Sequence, residues 1–462
     1  MPQTCATSSP ALGIRLEGDQ TDYAPGDTII GCVYRKMHAV SPKSSVGISL
    51  HGRSKSKIDE QHGQHHTTYR GRFSLIPEGR YAQKLFEGPL HVAGYVEQAW
   101  PFAITLPTHV DPGHLNGGTQ DESCIPLDAT DHVLPSTYAW NSSGTTQGFV
   151  EYYLKAGLRM NCQNNVEVVE ATLPFRVTSL NPDPPIADFQ PQSSRNASSV
   201  SSYRLIPGLE DANLSWSQKM KQSFRTPSVP AFWFNLEVEL PSIVQLDNPT
   251  PIPFRLRAMP DWPRTTAILQ NVPQQMKLTW ISLHVAATTK IICAGTRHPH
   301  SKDKETELDL YIQDAMRARG KAIYIPCNGE APVDVGELIG IRIGRQGNAS
   351  SRRPSNGQGL TPSFTTYNIR HTHRLNWVLR AEVVGETFEL TGTRLITLLM
   401  PSDEHGHPNV PGPSRPPLEG RSESWIQPPG ESDAPPSFAQ VEKEESKAQN
   451  EAVERHVESS HS

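Results

Sequence analysis

Apolar side chains recur at every second position through much of this chain, and that period decides what it can fold into. In FVEYYLKAGLRM, residues 149–160, Val150, Tyr152, Leu154, Ala156, Leu158 and Met160 share one face, while Glu151, Lys155 and Arg159 fall on the other. Phe234, Leu236, Val238 and Leu240 alternate in the same way with Asn235, Glu237 and Glu239. So do Leu375, Trp377, Leu379, Ala381 and Val383 with Arg374, Asn376, Arg380 and Glu382. Successive side chains of an extended strand point to opposite faces, so each segment predicts a strand with one face on a core and one in water. Segments 28–34, 45–51, 100–106, 166–171, 277–293 and 386–399 read likewise. Turn formers separate them at Pro25-Gly26-Asp27, Gly52, Pro107 and Asn116-Gly117-Gly118. Parallel sheets are covered on both faces, so half-wet strands in series predict antiparallel β-sandwiches. One short helix is expected at 309–319.

The alternation is confined to residues 12–178 and 231–400, which predicts one sandwich in each, after a flexible N-terminus at 1–11. Between them, 179–230 is rich in Ser and Pro, with SSRNASSVSS beginning at Ser193, and reads as a linker or insertion. Segment 401–462 has ten prolines and two aromatics, Trp425 and Phe438. So little apolar surface does not offset the entropy of ordering, and the segment reads as a disordered tail. Its Glu/Lys/Ala-rich part, 440–457, reads as a segment that folds on a partner or as a solvated tail, the second favoured for the isolated protein because short helices are marginal without packing.

This division accounts for a hydrophobic content of only 36% in 462 residues. It also divides the formal net charge of −5: the tail has 12 acids against five bases, leaving the first 400 residues at +2. A nearly neutral body with an acidic tail excludes a general nucleic-acid binder. No run approaches the roughly 20 apolar residues of a membrane span. The start, MPQTCATSSPALG, lacks the basic and apolar regions of a secretory signal, so a cytoplasmic protein is expected. Cys5, Cys32, Cys124, Cys162, Cys293 and Cys327 stand singly and read as free thiols rather than a disulfide or zinc framework. Sequons at Asn141, Asn196, Asn213 and Asn348 then read as chance products of Ser-rich sequence.

Few residues carry chemistry. His62, His65 and His66 form a His-x-x-His-His cluster in a polar stretch without carboxylate or cysteine partners, which reads as a loop rather than a metal site. His371 and His373 alternate along a strand and read as sheet-surface residues. No nucleophile elbow, phosphate-cradling loop or zinc-protease helix is present, so neither an enzymatic mechanism nor a cofactor or metal is expected. Arg53, Lys55 and Lys57 alternate after the Gly52 turn and point the same way in extended chain. They are a candidate contact for acidic cargo or anionic lipid, against the plainer reading of a solvated strand end.

The run Leu16-Glu17-Gly18 … Tyr23-Ala24-Pro25-Gly26-Asp27-Thr28-Ile29-Ile30-Gly31-Cys32-Val33-Tyr34 resembles the first strand pair of the arrestin N-terminal domain. Further similar elements follow in family order: the strand ending Leu50-His51-Gly52, the strand running from Trp100 to Leu106-Pro107, then Leu134-Pro135-Ser136 and Val150-Glu151-Tyr152-Tyr153-Leu154-Lys155-Ala156. In the second half, 364–377 resembles the late strands of an arrestin C-terminal domain. Tyr23, Pro25, Gly26, Asp27, Gly31, Gly52, Pro107, Pro135 and Tyr152 are the signature positions.

The resemblance implies the arrestin fold, two tandem antiparallel sandwiches, and a non-enzymatic adaptor for cytosolic tails of membrane transporters or receptors. In the alpha-arrestin branch, abundant in fungi, Pro-Pro-x-Tyr motifs in the tail recruit HECT-type ubiquitin ligases through their WW domains. The adaptor then works in the cytoplasm and transiently at the plasma membrane or endosomes. Here the motif reads Pro435-Pro436-Ser437-Phe438, with Phe in place of Tyr. Alternatives are a retromer-like or pH-signalling arrestin scaffold without ligase recruitment and, more remotely, a hydrolase or lectin-like sandwich.

Overall fold

The computed structural model describes residues 3–403 except 19, 21, 63–64, 95, 111–132, 143–144, 163–164, 182, 225, 296–297, 346 and 349–359. Pro435, Pro436 and Phe438, the tail beyond 403, the Asn116-Gly117-Gly118 turn and Cys124 lie outside the described residues. The first sandwich comprises β1 (Gly13–Leu16), β2 (Asp22–Tyr23), β3 (Thr28–Arg35), β4 (Ala39–His62), β5 (His65–Ser74), β6 (Ala82–Val92), β7 (Gln98–Thr105), β8 (Tyr138–Ser142), β9 (Thr146–Cys162) and β10 (Asn165–Val177). The second comprises β11 (Pro191–Ser201), β12 (Ala231–Pro241), β13 (Ile243–Gln245), β14 (Arg255–Pro260), β15 (Gln275–Cys293), β16 (His300–Asp309), β17 (Ile323–Pro326), β18 (Val333–Asp334), β19 (Ile343–Gly344), β20 (Gly347–Asn348), β21 (Phe364–Thr365), β22 (Ile369–Val383) and β23 (Glu386–Leu399).

In the first sandwich a sheet of order β1-β3-β7 packs on one of order β2-β10-β9-β4-β5, with β6 on β4 and β8 on β9. In the second, β11-β12-β14-β18 packs on β13-β23-β22-β15-β16, with β17 on β15 and β21 on β22. Pairing is antiparallel throughout except where β2 joins β10 and β13 joins β23. The alternating residues behave as their period requires: Val150, Tyr152, Leu154, Ala156 and Leu158 are buried in one core, and Phe234, Leu236, Leu375 and Trp377 in the other. No helix among the described residues is long and apolar enough to cross a membrane.

Three expectations about the course of the chain need correction. The N-terminus expected to be flexible at 1–11 is tied down: Thr7 exchanges backbone hydrogen bonds with Thr172 of β10, and Pro10 O accepts from Lys36 and Met37 N–H. The segment 179–230 is not a linker, because Pro191–Ser201 pairs along its whole length with β12, as the edge strand of its sheet. Its serines need bury only one side, and Phe189, Val200 and Leu205 anchor the segment in the second core. The expected helix is α2 (Ile312–Arg319), but α1 (Trp216–Ser223) and α3 (Val335–Ile339) accompany it. A capping box starts α1: Ser215 accepts from the Gln218 backbone while the Gln218 side chain accepts from Ser215 N–H.

The signature residues of the first half hold strand ends together. At Pro25-Gly26-Asp27, Gly26 takes φ +92°, a conformation that favours glycine. Asp27 Oδ2 accepts from Ala24 N–H at 2.8 Å, Gly26 N–H donates to Leu106 O, and Leu106 N–H donates to Asp27 O, so the turn is joined to the chain just before Pro107. Tyr23 is buried edge-to-face against Phe175. A Cβ at Gly52 would stand 2.8 Å from the Tyr152 ring, which explains the missing side chain there. The buried Tyr152 hydroxyl donates to Pro135 O at 2.7 Å, tying the Leu-Pro-Ser segment to β9.

Tyr152→Phe keeps the ring but leaves the Pro135 carbonyl without its buried donor. The expected loss is about 1–3 kcal/mol in the stability of the first sandwich, read from urea denaturation; an unchanged midpoint would show that this bond does not hold the segment.

Candidate functional site

The long hairpin of β4 and β5 has two working faces, because side chains alternate along it. Ser54, Ser56, Ile58 and Glu60 share one, and Arg53, Lys55, Lys57 and Asp59 the other. The first meets the second sandwich. Ser56 Oγ donates to Ile292 O at 2.8 Å and accepts from Asn368 Nδ2 at 2.9 Å and Cys293 Sγ at 3.2 Å. Ser56, Cys293 and Asn368 are all 0% exposed. A hydroxyl has one donor and two acceptor positions, so Ser56 is saturated entirely by the other sandwich.

Around this point Ile58, Ile291 and Cys293 form an apolar cluster with Tyr69 and Trp140. Tyr69 stacks on His300 with ring centres 3.6 Å apart, and Glu60 approaches His300 Nδ1 at 3.2 Å and Lys302 Nζ at 3.6 Å. Tyr138 of β8 shares a hydrogen bond with Thr289 of β15 at 2.9 Å. Tyr367 and Ile369, from the second half of the chain, complete the core of the first sandwich. The sandwiches therefore meet along a buried, hydrogen-bonded seam.

The other face of the hairpin carries the cations singled out in the sequence, but they do not all project freely into water. Lys55 is only 5% exposed. Lys55 Nζ reaches Glu151 Oε1 at 2.6 Å and Arg53 Nε reaches the same oxygen at 2.7 Å. The second carboxylate oxygen accepts from Thr4 N–H at 2.8 Å, and Arg53 also donates to Thr4 Oγ1. Glu151, expected on a wet face, is thus covered by the N-terminal segment and two cations. Burial alone opposes its ionisation, but the bonds from Lys55, the Thr4 backbone and Arg53 together hold its carboxyl below the usual range. Lys57 pairs with Asp59 at 2.6 Å.

Two residues complete the strip that sequence reading did not single out. Register places Arg72 of β5 opposite Lys55 and Arg70 opposite Lys57. Both arginines are exposed, and neither is in an ion pair among the described residues. Five cations along β4 and β5 thus face two carboxylates, Asp59 and Glu151. Toward the other end, His51 stacks on Tyr153, and Arg53 lies over the same ring at 4.8 Å. The signal was available as two arginines two residues apart in a strand-forming run. The second sandwich repeats the clamp: Glu237, also expected to be wet, is buried between Arg257 and Arg195, its direct cross-strand neighbours.

His371 and His373 are not surface residues either; they are 6% and 0% exposed on β22 at the seam. His371 Nδ1 lies 2.8 Å from Thr289 Oγ1, and His373 Nδ1 2.8 Å from Ser363 Oγ. Burial lowers His371 to about 4, and burial with the neighbouring His371 lowers His373 to about 3. The pair of Gln61 with His66 and of His62 with His65 makes the far end of the β4–β5 hairpin. Among the described residues no cluster of three His, Cys, Asp or Glu side chains is arranged to hold a metal. Cys5, Cys32, Cys293 and Cys327 are free.

No protein-family model matches the chain, and no curated protein matches it.

The two buried imidazoles set a pH dependence. Unfolded, each binds a proton near pH 6.5; folded, each stays neutral down to about 4 and about 3. The unfolded state thus binds more protons between these values, and stability is lost as pH falls from about 6.5 to about 4, at about 1.4 kcal/mol per pH unit for each histidine. His51, lowered by burial, acts in the same direction. Urea denaturation across this range should show the slope, and His371→Gln with His373→Gln should flatten it.

Proposed function

We propose that the protein is a non-enzymatic adaptor of the arrestin type. Its two-sandwich body binds cytosolic segments of a membrane transporter or receptor. Its tail, through Pro435-Pro436-Ser437-Phe438, recruits a HECT-type ubiquitin ligase by its WW domains and so promotes cargo ubiquitination, endocytosis and sorting. The observation that carries the reading is the strip of Arg53, Lys55, Lys57, Arg70 and Arg72. Like charges opposite one another in a sheet are destabilising, so a face with Lys57 opposite Arg70 and Lys55 opposite Arg72 suits an anionic partner. Exposed guanidinium groups at Arg70 and Arg72 match acidic or phosphorylated peptide, and peripheral contact with anionic membrane at the plasma membrane or endosomes follows from the same charge.

Two further features support it. The signature residues Pro25-Gly26-Asp27, Pro135 and Tyr152 make the hydrogen bonds that close the first sandwich, in the order in which the resemblance has them. The Ser-rich β11 is an edge strand, whose outer row of backbone groups suits an added cargo strand. The adaptor needs no catalytic group: holding ligase and cargo on one chain raises their effective concentration.

Affinity capture tests the division of labour. Ending the chain at 401 should lose the ligase and retain the transporter; Arg70→Glu with Arg72→Glu should lose the transporter and retain the ligase. A peptide spanning 431–445 should bind a WW domain, and Phe438→Tyr should tighten it by the hydroxyl's hydrogen bond, about 0.5–1.5 kcal/mol, or roughly 2- to 12-fold. Phe438 itself favours a second reading, a retromer-like or pH-signalling scaffold without ligase recruitment. Failure of both peptides to bind selects it, whereas turnover of a substrate or retention of a sugar points to a hydrolase or lectin-like sandwich.

A further inference from the structure

A cavity of about 290 Å³ lies in the seam, between β8 of the first sandwich and β15, β16 and β22 of the second. The rings of Tyr138 and Trp140 and the side chains of Val285, Ala287 and Leu308 give it apolar walls. Two of its lining side chains carry buried ring nitrogens, His373 Nε2 and Trp140 Nε1, that have no hydrogen-bond partner among the described residues. An indole nitrogen is a donor only. His373 faces Ser363 Oγ through Nδ1, and that hydroxyl, which accepts from Leu398 N–H at 3.0 Å, keeps both its own proton and a second acceptor position, so either tautomer is served and Nε2–H is open to the ring. Trp140 Nε1 is therefore a donor, and His373 Nε2 is one in the tautomer that takes the Ser363 proton at Nδ1.

A third group has the same sense. Lys304 lines the cavity with its ammonium 5.5 Å from the centre of the Trp140 ring, and it is in no ion pair among the described residues. Glu307, the carboxylate on this wall, already accepts from Asn376 Nδ2 at 3.3 Å. An indole donor, an imidazole nitrogen able to donate and a cation in no ion pair among the described residues, beside aromatic and aliphatic walls, suit an acceptor-bearing anion with a flat apolar body. A cavity of about 150 Å³ holds benzene, so this one has room for a ring and an acid group.

We propose that the seam cavity binds a small aromatic carboxylate, its ring against the Tyr138 and Trp140 side and its oxygens accepting from His373 Nε2 and Trp140 Nε1 near Lys304. Because the lining comes from both sandwiches, such a ligand braces one against the other. This goes beyond cargo and ligase binding and does not depend on them.

The test uses the full chain with benzoate, phenylacetate and indole-3-acetate, read by calorimetry and by melting temperature. At least one acid should bind saturably and raise the melting temperature in step with its concentration. It should bind about tenfold or more tighter than its own neutral amide. Trp140→Phe, which keeps a ring and removes the donor, and Lys304→Met should each weaken it by a similar factor; Ala287→Leu, which fills the cavity, should abolish it. If Ala287→Leu does not fold, Trp140→Phe decides. No binding by any of the three acids, or binding that Trp140→Phe and Lys304→Met leave unchanged, overturns the proposal.

Discussion

A single hydroxyl sits at the crossing of the two sandwiches. Ser56 uses its one donor and both acceptor positions on Ile292, Asn368 and Cys293, all from the other half of the chain, with Asn368 and Cys293 fully out of water. Such a centre is stable only when complete, because each partner left alone would be a buried polar group without a bond. Close approach is part of the same arrangement: Gly71, opposite Ser56 on β5, leaves no room there for even a Cβ. From this crossing follow the packing of Ile58 on Ile291 and Cys293, the Tyr69–His300 stack and the insertion of Tyr367 and Ile369 into the first core.

Because the inner face of the β4–β5 hairpin is committed to this seam, its outer face is left to carry charge. There the sheet treats carboxylates and cations unequally. Glu151 is drawn under Arg53, Lys55 and the N-terminal Thr4, whereas Arg70 and Arg72 remain in water. Register produces both outcomes, since it sets Arg53 opposite Glu151 and the two arginines opposite lysines. Glu237, clamped by arginines on both neighbouring strands, shows the same rule with the cations in balance.

The period-two signal made most of the fold legible. Strands expected at 28–34, 277–293 and 386–399 correspond to β3, β15 and β23 almost residue for residue. Where burial comes from elsewhere, the pattern fails. Pro191–Ser201 has no apolar face to read; it becomes a strand because β12 supplies a ladder and Phe189, Val200 and Leu205 hold its ends. Glu151 and Glu237 alternate as wet residues do, and only cross-strand register reveals their clamps. Ser56, Asn368 and Cys293 are ordinary residues until the chain brings them together from more than 230 positions apart. The Ser215-x-x-Gln218 capping box, by contrast, was written in the sequence and marks α1.

The seam makes one body of two sandwiches, and native-state hydrogen exchange tests this most directly. Core amides of β9 and β22, at Tyr152 and Trp377, belong to different sandwiches, and in the native chain they should open with the same free energy. Ser56→Val, which strips three partners at once, should separate the two values. Amides of β9 and β22 that already open independently in the native chain, or that Ser56→Val leaves coupled, would contradict the single body held at Ser56.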